Sequence, residues 1–223
     1  MPAALPNIII GINGMNLSKL AAVAVVALLP TASYAQNPFG SGWAVTADFG
    51  VTSHILDVDG GYKDESGHDS SPAIGISYKF EDYWSVQFQY VDAGNADLFS
   101  AARSNINYTF ATETSQLNIF GALNSVREVG SWGFGGRLGL SKWDTTLFVT
   151  RTAASLESIQ FDAGSDDGIS IIGGVSAFYP ITDNLDFTLT ADWSVTEPDI
   201  EVIVGRSTEV QYSRYALGIA YHF

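Results

Sequence analysis

The chain contains no cysteine. That excludes a disulfide framework, a thiolate metal site and a cysteine nucleophile. It is also poor in bases: Lys and Arg total 10 against 24 Asp and Glu, and only 15% of residues are charged. A net charge of −14 excludes wholesale binding to nucleic acid, because neutralising phosphates requires a basic face. Low charge density together with 46% apolar residues excludes intrinsic disorder. What is present is 22 glycines and 13% aromatics in 223 residues, enough for one domain or at most two.

The longest apolar run is short and lies near the start. Met15-Asn16-Leu17-Ser18-Lys19 forms a small positive segment, Leu20 to Leu29 is all Leu, Ala and Val, and Pro30 ends the run. A membrane-spanning helix needs about 20 residues, so this run is too short to be one. Ser33-Tyr34-Ala35 places small residues where a signal peptidase cuts. Residues 1–35 are therefore expected to be an export signal, with Met15 as the expected true start. The mature chain, 36–223, is left with 24 acids against 9 bases.

After residue 36 the pattern has period two. Trp43, Val45, Ala47, Phe49 and Val51 alternate with Ala44, Thr46, Asp48, Gly50 and Thr52. Trp84, Val86, Phe88 and Tyr90 alternate with Ser85, Gln87 and Gln89, and Leu185 to Trp193 and Tyr215 to Phe223 behave alike. Weaker alternation near 74–80, 112–123, 132–141 and 169–177 brings the total to eight strands, with Phe120, Ile172 and Phe178 out of phase. Residues 105–110 alternate in the opposite phase to 117–123, which a bulge or an extension beyond the rim explains. Short connections (81–83, 124–131, 180–184) alternate with long polar ones (57–71, 92–111, 144–168, 194–211). The expected fold is all-β: an eight-stranded antiparallel up-and-down transmembrane β-barrel.

Period two does not say which face is inside, but side-chain size does. The polar faces are rich in Gly, Ala and Ser, which suits a narrow lumen, and the apolar faces carry aromatics near both ends. Trp43, Phe80, Trp84, Trp132, Tyr179, Tyr221 and Phe223 are expected at the short-turn end. Tyr90, Trp193 and Tyr215 are expected toward the long loops. Two such girdles mark the two membrane–water interfaces.

Three stretches and the C-terminus carry a family resemblance: Tyr78-Lys79-Phe80-Glu81-Asp82-Tyr83-Trp84-Ser85 with Gln89 to Gly94, Gly136 to Asp144, and Tyr179 to Leu185. On these the chain, over 36–223, resembles the small eight-stranded outer-membrane β-barrel family and is similar to the transmembrane domain of outer-membrane protein A. The resemblance implies a monomer in the outer membrane after Sec-type export, in contact with outer-membrane lipids and lipopolysaccharide. It also implies delivery by the barrel-assembly machinery, reading the alternating C-terminal residues Tyr215, Leu217, Ile219, Tyr221 and Phe223. It implies no cofactor.

Charges sort by position. The long loops and their rims hold 17 acids and the four bases Lys63, Arg103, Arg151 and Arg206, giving an anionic loop end. That end either captures cations or a basic partner, or is simply solvated. Asp57-Val58-Asp59-Gly60-Gly61 starts like a calcium loop but lacks the later ligands. The inward charges are Asp48, Lys79, Arg137, Asp186, Asp192 and Arg214, three of each sign, expected to form a ladder of ion pairs that plugs the lumen or gates a narrow porin-like pore for ions or small solutes. Lys142 is expected outward at the loop rim, meeting a lipopolysaccharide phosphate or reaching to water.

Catalysis finds little support. His68-Asp69-Ser70 has a His-x-Ser spacing like that of lipid A deacylases but lies in a polar loop, away from any acyl chain. Gly133 to Gly139 has Leu138 where a dinucleotide loop needs glycine. The expected role is envelope-structural or surface-interacting through the acidic loops. A pore is the alternative, and an acyl-modifying enzyme the second.

Overall fold

A computed structural model of the protein describes residues 42–58, 65–80, 83–103, 106–153, 156–196 and 208–223. The expected export signal lies outside the described residues, as do Asp59, Lys63, Asp64, Glu81, Asp82, Glu197, Asp199, Glu201 and Arg206. Eight strands run in chain order: β1 (Gly42–Val58), β2 (Glu65–Lys79), β3 (Trp84–Arg103), β4 (Ile106–Asn124), β5 (Gly133–Ala153), β6 (Leu156–Pro180), β7 (Leu185–Thr196) and β8 (Thr208–His222). Each pairs antiparallel with its neighbour in sequence, and β1 pairs with β8 from Ala44↔His222 to Val58↔Thr208, so the sheet closes on itself. Closure leaves no unpaired edge, which is the condition for strands to stand in lipid.

The period-two faces fall as side-chain size predicts. Outward residues are apolar and uncovered: Ile169 is 72% exposed, Ile171 70%, Leu138 66% and Phe49 58%. Soluble monomers seldom expose a continuous apolar belt, so these values define a surface made for lipid. Aromatics bound the belt. At the turn end Trp43 stacks against Tyr78 (ring centres 4.8 Å apart) and Trp132 against Tyr179 (5.3 Å), with exposed Phe80 and Trp84 alongside. Toward the loops Trp193 meets Tyr215 edge-on at 6.4 Å. On β8, Tyr215, Leu217 and Ile219 point outward, and the Phe223 N–H donates to the Trp43 carbonyl at 3.0 Å, fastening the chain end to β1.

One expectation needs correction, and one of two alternatives holds. The connections at the loop end were expected over residues 57–71, 92–111, 144–168 and 194–211. Instead ladder pairing continues to Leu56↔Glu65, Arg103↔Ile106, Ala153↔Leu156 and Thr196↔Val210. Above the lipid an outward face no longer has to be apolar, so the alternating signal stops while backbone hydrogen bonds go on. The alternatives concern residues 105–110. β4 pairs without interruption from Ile106↔Ala153 to Asn124↔Gly135, so its apparent slip is the rim extension and no bulge. The bulges lie on β3, between Asp92 and Gly94 and between Asp97 and Phe99, and in the β5–β6 pairing.

Candidate functional site: the barrel lumen

The residues that broke the sequence pattern fill the lumen. Phe120 is fully buried, with the Arg137 guanidinium carbon 4.5 Å above its ring. Ile172 is 2% exposed, and Phe178 faces the turn-end space opposite Gly133.

The lumen has three layers. Toward the loops, the Tyr212 hydroxyl lies 3.1 Å from Thr114 Oγ1 and 3.2 Å from Thr145 Oγ1, and the two threonines are 3.0 Å apart. His54 packs edge-on against Tyr212, ring centres 4.8 Å apart, and its Nε2 donates to the Ala93 carbonyl at 3.2 Å. This layer is a buried, hydrogen-bonded bolt.

The middle layer is an ion cluster. Arg137 Nε donates to Asp192 Oδ1 at 2.7 Å and Nη2 to Oδ2 at 2.5 Å, a bidentate pair with both side chains about 5% exposed. Arg214 donates to Asp48 Oδ1 and to Ser71 Oγ (2.8 Å), and its Nη1 stands 4.0 Å from Asp192 Oδ2. Gln89 Nε2 adds a bond to Asp48 Oδ2 at 3.0 Å, and Arg137 Nη1 donates to Gln87 Oε1 at 3.3 Å. Small residues make the room. A Cβ on Gly174 would strike Asp192 Oδ1, and one on Gly218 would strike the Asp48 side chain.

The turn-end layer was only partly foreseen. Asp186 accepts from Arg127 Nε at 2.9 Å and Nη2 at 2.6 Å, and from His222 Nε2 at 2.9 Å. Arg127 also donates to the Thr182 carbonyl at 2.6 Å, so the β4–β5 turn folds into the mouth. Arg127 stands in a turn, where period two says nothing, so no pattern in the sequence marks it. His222 did carry a signal: it lies on the inward phase of β8 with Ala216, Gly218 and Ala220.

Of the expected ladder, the structure brings Asp48, Arg137, Asp192 and Arg214 into one cluster and gives Asp186 to Arg127 and His222. Lys79 lines a turn-end cavity of about 140 Å³ together with Asp48, Arg127, Arg137 and Asp186. A second space of about 10 Å³ lies against Asp192 and Arg214 on the loop side. The ion cluster separates the two.

The rim residues are also placed. Lys142 points outward and lies 3.8 Å from Asp167, both well exposed. His68 is exposed, while Asp69 accepts the Ser70 and Asn95 N–H groups at 2.6 Å each. Both Asp69 oxygens thus serve the backbone, and the His68-Asp69-Ser70 run forms no oriented catalytic pair. Asp92 and Asp162 accept the N–H groups of Gly94 (3.2 Å) and Gly164 (2.8 Å), so part of the acidic rim holds β-bulges in shape. Among the described residues no three His, Asp or Glu side chains could hold a metal ion together.

These observations define a class: a small closed eight-stranded β-barrel, apolar outside and polar and ion-paired inside. Among solved structures it is similar to small outer-membrane barrels. Ail, the attachment invasion locus protein of Yersinia pestis, shares 16% identity over 82% of this chain and 99% of that one, with a TM-score of 0.45. Neisserial surface protein A shares 18% over 82% and 99% (TM-score 0.46). OprG of Pseudomonas aeruginosa shares 12% over 83% and 97% (TM-score 0.47). At such identities the likeness is one of fold. No family model and no curated protein matches the chain.

Proposed function

We propose that this protein is a monomeric outer-membrane barrel with a plugged lumen, anchoring an anionic loop-side rim at the cell surface in an envelope-structural or surface-interaction role. The observation that carries the proposal is the buried Arg137–Asp192–Arg214–Asp48 cluster standing between the two lumen spaces, inside a wall whose outward belt is apolar. Burying four charges is unfavourable unless each is paired, and these are paired with bidentate or doubly bonded geometry. Such a cluster has no cause to part for solutes. Exposed Asp97, Glu113, Asp144 and Asp167 supply the rim's charge. In this reading outward Lys142 meets a lipopolysaccharide phosphate and the barrel-assembly machinery reads β8; the exposure of Lys142 and the outward Tyr215, Leu217 and Ile219 support it.

The test is planar-bilayer conductance of a refolded barrel whose gel band shifts on boiling. The proposal predicts silence. The narrow-pore reading is favoured by the turn-end cavity and predicts steps that grow when Arg137 or Asp186 is truncated. An acyl-modifying enzyme predicts a changed lipid A mass on expression, lost with His68→Ala.

A further inference from the structure

The barrel wall is taller on one side than on the other. β5 and β6 pair as far as Ala153↔Leu156, whereas β6 and β7 pair only between Ile172↔Ser194 and Pro180↔Asp186. Among the described residues, 156–171 of β6 therefore have a strand on one side only. Their other row of N–H and C=O groups is an open sheet edge, a template for a further strand. Ser158, Ile159, Gln160, Phe161 and Asp162 are all exposed, five residues in succession. Successive side chains in a strand point to opposite faces, so both faces beside this edge are open too.

The two faces differ in chemistry. Register places Phe161 opposite Val149 and Ile159 opposite Arg151, in the phase of buried Trp143 and Val149, so both point toward the barrel axis. Ile159 is nonetheless 55% exposed and Phe161 44%, on the loop side of Asp162 and beyond the lipid belt. Large apolar side chains open to water at neighbouring positions mark an interaction surface. The outward face is acidic. Asp162 and Asp167 are exposed on it, and Asp144 lies directly opposite Asp167. Like charges directly opposite each other on a ladder are unfavourable, and a cation between them offsets this. Lys142 stands 3.8 Å from Asp167, while Arg151 belongs to the inner face.

We propose that the open edge of β6 is a docking site for an extended segment of another protein in which basic and apolar residues alternate. The segment adds as one more antiparallel strand. Its alternation sets apolar side chains beside Ile159 and Phe161, and basic ones beside Asp162 and Asp167. A second copy of the barrel does not suit the edge. Two copies in one membrane stand upright together, so their β6 strands run the same way and cannot pair antiparallel, and their acids repel. The proposal rests on the surface-interaction reading of the rim. A barrel that docks the segment yet conducts would overturn the plug alone, and a silent barrel that docks nothing would overturn this site alone.

The experiment titrates an end-capped peptide of Lys-Val repeats into the folded, isotopically labelled full chain in uncharged detergent micelles, reading backbone amide resonances. Saturable shifts are expected across Ser158 to Asp162. Binding should be at least tenfold tighter than for Lys-Lys-Val-Val repeats, which keep the charge and lose the alternation, or for Glu-Val repeats, which reverse the charge. N-methylating alternate peptide residues should abolish binding in one phase and spare it in the other, since an added strand bonds to the edge through every second residue. Ile159→Thr with Phe161→Thr, at exposed positions where folding is little at risk, should weaken binding several-fold, and so should Asp167→Asn. Equal binding of the two Lys-Val peptides, N-methyl effects in both phases or in neither, unweakened variants, or no saturable shift in a barrel shown to be folded would each overturn the assignment. Slow hydrogen exchange at alternate amides of 158–162 in the free barrel would overturn it too. At every concentration it would mean that the chain's own residues cover the edge, and at high concentration alone that a second copy does.

Discussion

Replacing Arg137 with Met separates this account from one in which the lumen charges are incidental. The substitution keeps an aliphatic stem and removes a guanidinium that lies over the Phe120 ring and makes two bonds to Asp192 and one to Gln87. Both partners are about 95% buried, so water screens little, and breaking such a pair costs about 3–5 kcal/mol because the remaining charge is left uncompensated. Arg214 Nη1, buried 4.0 Å from Asp192 with no hydrogen bond of its own, can turn to take the carboxylate. That partial rescue places the expected loss near the lower end, about 3 kcal/mol. Asp192→Asn leaves Arg137 unpaired and should cost a similar amount. The double variant leaves no uncompensated charge at this pair, so its loss should fall short of the sum of the two by about 2 kcal/mol or more. Equilibrium urea titration in lipid vesicles, read by the heat-sensitive gel shift, measures all three. Losses under about 1 kcal/mol for Arg137→Met, or additivity within about 0.5 kcal/mol, would refute the reasoning.

Other perturbations follow from the same structure. Leu138→Arg, midway along the outward belt, should cost about 2–4 kcal/mol in the same titration, and an unchanged midpoint would deny that Leu138 faces lipid. Lys142→Ala removes an exposed pair at 3.8 Å and should change stability by less than about 1 kcal/mol, serving as the surface control. Tyr212→Phe deletes the bolt's hydroxyl while Thr114 and Thr145 keep each other, so a loss of only about 1 kcal/mol is expected. Gly94→Ala places a side chain at φ +83° and within 2.6 Å of Asp69 Oδ2, and should cost at least the ~1–2 kcal/mol of a left-handed residue, seen as faster amide exchange at Asn95.

Much of the fold was legible because lipid imposes one rule on every crossing. Trp43 to Val51, Trp84 to Tyr90 and Tyr215 to Phe223 alternate without error, since a single slip would turn a polar side chain into hydrocarbon. Legibility ended where that rule ended. Past Asp92 and Asp144 the strands continue into water, where ladder bonds suffice and side chains are unconstrained, so paired strand looks like loop. Inside the lumen the rule is volume, and one large residue can replace several small ones. Phe120 is out of phase because it fills the space beneath Arg137. The ladder's members were visible as charges on inward phases, but the pairing among them was not, nor was Arg127. Arg127 reaches Asp186 from a turn, across 59 residues of sequence, and only the closed barrel brings the two together.

The central claim is the assignment of faces: apolar residues to lipid, polar and charged residues to the lumen. Because the chain has no cysteine, single cysteines can be placed one at a time and labelled with a fluorophore. Leu140→Cys and Ser141→Cys are adjacent on β5, the first exposed and the second buried. In vesicles containing spin-labelled lipid, a fluorophore at 140 is predicted to be strongly quenched and one at 141 spared, in a barrel that still shows the gel shift. Equal quenching at both positions, or quenching at 141 alone, would contradict the account.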